Sequence, residues 1–98
     1  MKTAPQLDDL RLFCAVARNR SFAATARELG LSNAVVSKRI AILEAGMGTA
    51  LLHRTTRSVA LTEQGETLNR AVREVFAKLA MTEALLTESR ERPTGRLK

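Results

Sequence analysis

Apolar residues recur at helical spacing through most of the chain. Leu7, Leu10, Cys14 and Ala17 fall on one stripe, which Phe13 and Val16 widen. This predicts a first helix over about residues 7–18, after a short lead over residues 1–6 that contains Pro5. Asp8 and Asp9 stand in the first turn, where the helix dipole favours anions. Ser21 suits an N-cap, and Phe22 to Leu29 reads as a short second helix closed by Gly30. Its small residues Ala23, Ala24 and Ala26 permit close approach by another helix. Ser32 offers a further N-cap for a third helix over about 33–45. Val36, Ile40 and Leu43 face inward there, and Asn33, Ala34, Ser37, Lys38 and Ala41 occupy the opposite face.

Gly46 and Gly48 are expected to break the third helix. Leu51 to Thr62 carries Thr55, Thr56, Val59 and Leu61, the residue types of a small hairpin. Thr62 then caps a long helix from Glu63 to Arg90, about 40 Å in length, ended by Pro93 and Gly95. Along it Leu68, Val72, Val75, Leu79, Thr82 and Leu86 alternate by four and three, a heptad seam with one polar member. The fold class expected is mainly α: a winged helix-turn-helix with a small β-hairpin wing and a long C-terminal dimerisation helix. A seam of that length exceeds what one small globule can cover, so pairing with a second chain is the preferred reading.

The informative stretch runs from Ser21 to Glu44. A short helix, a glycine turn and a second capped helix make a helix-turn-helix: Ala26 is small where the helices cross, Gly30 turns the chain, and Val36 packs one helix on the other. That geometry leaves the start of the third helix protruding, and a major groove admits one helix. Asn33, Ser37 and Lys38 can reach base edges or phosphates from there. A three-helix globule without nucleic-acid function can show the same spacings, and the charge distribution separates the two readings. Between Arg11 and Arg57 stand eight basic residues and two acidic ones, which accounts for the whole net charge of +6. A polyanion should therefore meet the middle of the chain. A basic protein-interaction module or a general nucleic-acid chaperone would share that charge, but would need neither base-reading residues on a capped helix nor a two-fold seam.

The residues Ser21-Phe22, Ala26, Leu29, Leu31-Ser32, Val35-Val36-Ser37, Ile40, Leu43-Glu44, Met47-Gly48, Leu51-Leu52, Arg54, Leu61-Thr62-Glu63 and Gly65 together resemble the DNA-binding domain of LysR-type transcriptional regulators. The resemblance covers residues 7 to about 90. It implies a winged helix-turn-helix over 1–62, a linker helix over 63–92, and, at 93–98, the start of a link to an effector domain outside this chain. Gly95-Arg96-Leu97-Lys98 resembles the beginning of that domain's first strand. It further implies that Asn33, Ala34, Ser37 and Lys38 meet double-stranded DNA in the major groove and that Arg57 enters the minor groove. Ser21, Ser32 and Arg54 would lie near phosphates, and the site would be an interrupted inverted repeat with T and A at the outer ends of its core. Leu68, Val72, Val75, Leu79 and Leu86 would pair antiparallel in a homodimer, with a higher oligomer and a small-molecule effector belonging to the full-length protein. Ala34 stands where the family often has Pro, Thr25 where Ala is usual, and Asn33 where a longer Gln is common.

Other chemistry is weakly signalled. Cys14, the single cysteine, excludes an intrachain disulfide, suits a reducing cytoplasm and reads as a core thiol rather than a redox sensor. His53 has no nearby Cys or second His and reads as a surface residue of the wing rather than a metal ligand. No His or Asp is placed to activate Ser21, Ser32 or Ser37, so neither an enzyme nor a cofactor is expected. No apolar run is long enough to span a membrane.

Overall fold

The structure, a computed structural model, describes residues 6–55 and 58–91. Along it run α1 (Leu7–Asn19), α2 (Phe22–Leu29), α3 (Asn33–Met47), β1 (Leu52–Arg54), β2 (Val59–Leu61) and α4 (Glu63–Glu91). The winged helix-turn-helix architecture expected from the periodicity is present, with β1 and β2 as the antiparallel wing in the register Leu52 to Leu61, His53 to Ala60 and Arg54 to Val59. The expectations for Pro5, Pro93, Gly95 and the terminal Gly95-Arg96-Leu97-Lys98 lie outside the described residues, as does Arg57.

The core is built where the apolar stripes meet. Leu12, Phe13 and Val16 of α1, Ala26 of α2, Val36, Ile40 and Leu43 of α3, and Leu51, Leu52 and Val59 around the hairpin form one buried cluster. Phe13, Leu12, Ile40 and Leu51 are its largest fully buried side chains, each contributing about 1.5–3 kcal/mol by leaving water.

Local chemistry ends and starts the helices. α1 stops at Arg20, whose left-handed backbone (φ +55°) lets its N–H donate to the Val16 carbonyl. Ser21 Oγ then accepts from Ala24 N at 3.0 Å, and Ser32 Oγ from Val35 N at 3.1 Å. Gly30, at φ +70°, makes the turn between α2 and α3. Thr62 Oγ1 accepts from Gly65 N at 2.9 Å and donates to Ala50 O at 2.8 Å, so it both caps α4 and ties its start to the residues before β1.

Two expectations are corrected. α3 does not break at Gly46; it continues to Met47 and closes at Gly48. Glycine inside a helix costs about 1 kcal/mol relative to alanine. Here Met47 packs on the core, and the Glu44 carboxylate accepts from Leu51 N and Leu52 N at 2.8 and 3.1 Å, holding that last turn against the hairpin. The α4 stripe is also not one uniform surface. Its first turns lie against α1, so Leu68 packs on the chain's own core and Val72 is only 5% exposed. Val75, Leu79 and Leu86 remain 49%, 42% and 62% exposed.

Candidate nucleic-acid interface

The second helix of the helix-turn-helix presents its N-terminal turns outward because Val36 and Ile40, both fully buried, fix its opposite side to the core. Asn33, Ala34 and Lys38 are exposed and Ser37 is half-buried. Ser32 is exposed too, with its hydroxyl oxygen accepting from Val35 N.

A second group assembles between the start of α2 and the hairpin. Arg20, Ser21, Phe22, Arg54, Thr55 and Ser58 line an open cleft of about 240 Å³. The Arg54 guanidinium lies over the Phe22 ring, 4.7 Å from its centroid. Across the hairpin Thr55 N donates to Ser58 O at 2.9 Å, while Thr55 Oγ1 donates to Ser58 O and accepts from Ser58 N at 3.0 and 2.9 Å. This brings Ser21 and Arg54 together and adds Arg20 and Phe22, which spacing alone did not single out. Arg20 was visible in the charge count; no local signal placed Phe22 beside Arg54.

The basic residues divide by what they touch. Arg39 Nε donates to Asp9 Oδ1 at 2.9 Å, pinning α3 to α1. Arg18 forms an ion pair with Glu28, and Asn19 Nδ2 donates to the same carboxylate at 2.9 Å. Asn19, and then Arg18, hold the Glu28 carboxyl below the usual carboxylate range. An exposed pair of this kind adds little stability, so its effect is to fix how α2 sits on α1. Thr25, fully buried where the family resemblance expected Ala, extends the network: its Oγ1 donates to Ser21 O at 2.8 Å and accepts from Asn19 Nδ2 at 3.0 Å. Arg11 lies over Phe76 of α4, 4.5 Å from the ring centroid. Among the described residues Arg20 at the end of α1, Arg27 of α2, Lys38 of α3 and Arg54 of β1 present exposed positive charge.

His53 is exposed on β1 opposite Ala60. Cys14 is half-buried at the α1–α4 face beside Arg18, Asn69 and Arg73. Burial pushes its thiol above the ordinary value, against the pull of Arg73 and then Arg18. The thiolate is the nucleophile, so Cys14 should be alkylated by iodoacetamide more slowly than free glutathione at mildly alkaline pH. Mass-spectrometric rate measurement checks this, and a rate matching glutathione would show an accessible, unperturbed thiol.

Among the described residues no helix is long and apolar enough to cross a membrane. Residues 7–66 match the family model described as bacterial regulatory helix-turn-helix protein, lysR family. The chain is 45% identical over its whole length to the HTH-type transcriptional regulator DmlR of Escherichia coli (strain K12), of which it covers 32%. It is 42% identical over 80% of its length to the glycine cleavage system transcriptional activator of Escherichia coli (strain K12), covering 26% of that protein. It thus spans about a third or less of the relatives it matches. Among solved structures, the BenM_DBD/catB site 1 DNA complex superposes with a TM-score of 0.84 at 25% identity, covering 91% of this chain and 99% of that one. Full-length LysG from Corynebacterium glutamicum superposes with a TM-score of 0.80 at 29% identity, covering 87% of this chain and 29% of that one. Family model, relatives and superposed structures thus agree over the helix-turn-helix, and the chain belongs to the LysR family of bacterial regulatory helix-turn-helix proteins.

Proposed function

We propose that this DNA-binding domain of a transcriptional regulator reads a two-fold DNA site as a homodimer, with α3 in the major groove and the hairpin wing toward the minor groove. The observation that carries the reading is the α3 N-terminus: Asn33, Ala34 and Lys38 are exposed together while Val36 and Ile40 lock the helix from behind. Asn can make paired bonds to adenine and Lys donates readily to guanine, so both residues are base readers. Ser37 stands at the edge of the same surface. Ser21, Ser32 and Arg54 contact phosphates, Ser21 and Arg54 doing so from the cleft that Arg20 also lines. Arg57 is assigned to the minor groove by family resemblance. Two-fold symmetry comes from α4, where Val75, Leu79 and Leu86 leave an uncovered apolar stripe beyond the globule. Leu68 and Val72 serve that dimer indirectly, by seating α4 on α1. The division at residue 62 into a reading domain and a linker helix is functional: the first turns of α4 are structurally part of the globule. Effector sensing belongs to the remainder of a full-length regulator.

Selection from a random-sequence duplex pool should recover an interrupted inverted repeat, and that site then serves as cognate DNA. Lys38→Ala should cost about 1–3 kcal/mol on the cognate site and less on random DNA. Arg54→Ala should weaken cognate and random duplexes alike and lower the salt slope by about one. Fluorescence anisotropy across a salt series measures both. Equal losses for Lys38→Ala on the two DNAs would make Lys38 a phosphate anchor and overturn the assigned reading face.

A further inference from the structure

We infer that Phe22 is a positioning residue for DNA binding, its ring holding the Arg54 guanidinium at the mouth of the cleft where a phosphate is taken. The inference rests on the DNA-reading proposal and adds to it a side chain that itself carries no charge and donates no hydrogen bond.

Phe22 is the first residue of α2, directly after the Ser21 cap, and its ring is half-buried against the core. Its base is therefore fixed by packing. Arg54 is the last residue of β1, exposed at the hairpin end of the sheet. The two meet with the guanidinium carbon 4.7 Å from the ring centroid, well inside the range of a cation–π contact. Attraction to a ring face takes up none of the guanidinium's N–H···O bonds. The contact therefore leaves donors of the fork available to phosphate oxygens.

The alternative for an exposed arginine on a three-residue strand is a long, rotamer-rich stem that must be ordered when DNA arrives. The ring removes part of that ordering. It also sets where the charge stands: Arg20, Ser21 and Ser58 line the same cleft, so the fork is held beside a second cation, the hydroxyl of Ser21 and the N-terminus of α2. Helix N-termini favour anions, and here the helix, the cap and two guanidinium-bearing residues share one opening. An aliphatic residue at position 22 could fill the core but would leave Arg54 unheld.

The test compares Phe22→Leu, Phe22→Tyr, Arg54→Ala and the double variant Phe22→Leu/Arg54→Ala with the parent 98-residue chain. The probe is a short duplex of mixed sequence, with affinity read across a salt series and thermal melting followed in parallel. Phe22→Leu is expected to weaken binding about two- to fivefold, the size of a solvent-exposed cation–π contact, and to make the salt dependence shallower. Phe22→Tyr keeps the ring face and should bind as the parent does. The double variant should bind no more weakly than Arg54→Ala alone, since the ring acts through that arginine.

A merely structural role for Phe22 would lower the melting temperature of Phe22→Leu and leave its salt slope unchanged, which overturns the inference. Tighter binding by Phe22→Leu would also overturn it, because the ring would then be holding Arg54 away from DNA. If Arg54→Ala weakens binding and Phe22→Leu does not, the inference fails alone. If Arg54→Ala itself binds as the parent does, the phosphate assignment fails first and the inference falls with it.

Discussion

Gly65→Ala is expected to destabilise the domain by about 3 kcal/mol or more, enough to leave a domain this small largely unfolded at moderate temperature. The direction is opposite to the general rule. Gly65 lies in the first turn of α4, where alanine ordinarily gains about 0.5–1 kcal/mol over glycine. A Cβ at this position would stand 2.0 Å from the Leu51 carbonyl oxygen, 3.0 Å from its carbon and 3.2 Å from Leu61 Cδ2. The obstructing atom is backbone, and it is held: Leu51 O accepts from Thr62 N at 3.0 Å, while Leu51 N donates to Glu44. Relief would require the start of α4 to lift from the segment before β1, breaking the Thr62 bonds to Ala50 O and Leu51 O at the same time. Chemical denaturation of the variant beside the parent reads the effect directly. A variant at least as stable as the parent would show that α4 does not approach the Leu51 backbone this closely.

Elements set by near neighbours were legible in the chain. Ser21, Ser32 and Thr62 were readable as caps because a hydroxyl three residues before a helical N–H is a local arrangement, and each makes that bond. The inward positions Val36, Ile40 and Leu43 followed from spacing alone. What escaped depends on contacts between distant residues. The continuation of α3 through Gly46 rests on Glu44 reaching the hairpin amides, which no local propensity contains. Periodicity marks a residue as apolar-facing without naming its partner, so Leu68 and Val72 were indistinguishable from Val75 and Leu79 until α1 was seen against α4. Charge counting likewise located the basic middle of the chain but not its division. Arg39 is engaged by Asp9 thirty positions away, whereas Lys38 beside it faces outward.

Leu79→Glu is expected to convert the proposed homodimer into a monomer at micromolar concentration and to lower affinity for the selected inverted repeat by about 10²–10⁴-fold. Leu79 is 42% exposed, flanked on its stripe by Val75 and Leu86, with Thr82 between them turned back on its own helix by a bond to Lys78 O. In a symmetric pair each chain would carry the new carboxylate into the same apolar seam. An ionised group there costs on the order of several kcal/mol, and every 1.4 kcal/mol is about tenfold in the dimer constant. The effect on DNA follows from linkage. With two domains joined, the second half-site is filled at the high effective concentration set by the first; a monomer loses that advantage without losing any contact to its own half-site. Affinity for an isolated half-site should therefore be unchanged, and so should thermal stability of the monomer, because position 79 packs on nothing essential in its own globule. Leu79→Met, close in volume and apolar, should remain dimeric. Sedimentation equilibrium gives the oligomeric state and anisotropy on full and half sites gives the affinities. A Leu79→Glu variant still fully dimeric at micromolar concentration would place the interface elsewhere. A monomeric variant with undiminished affinity for the full repeat would show that pairing through α4 plays no part in reading the site.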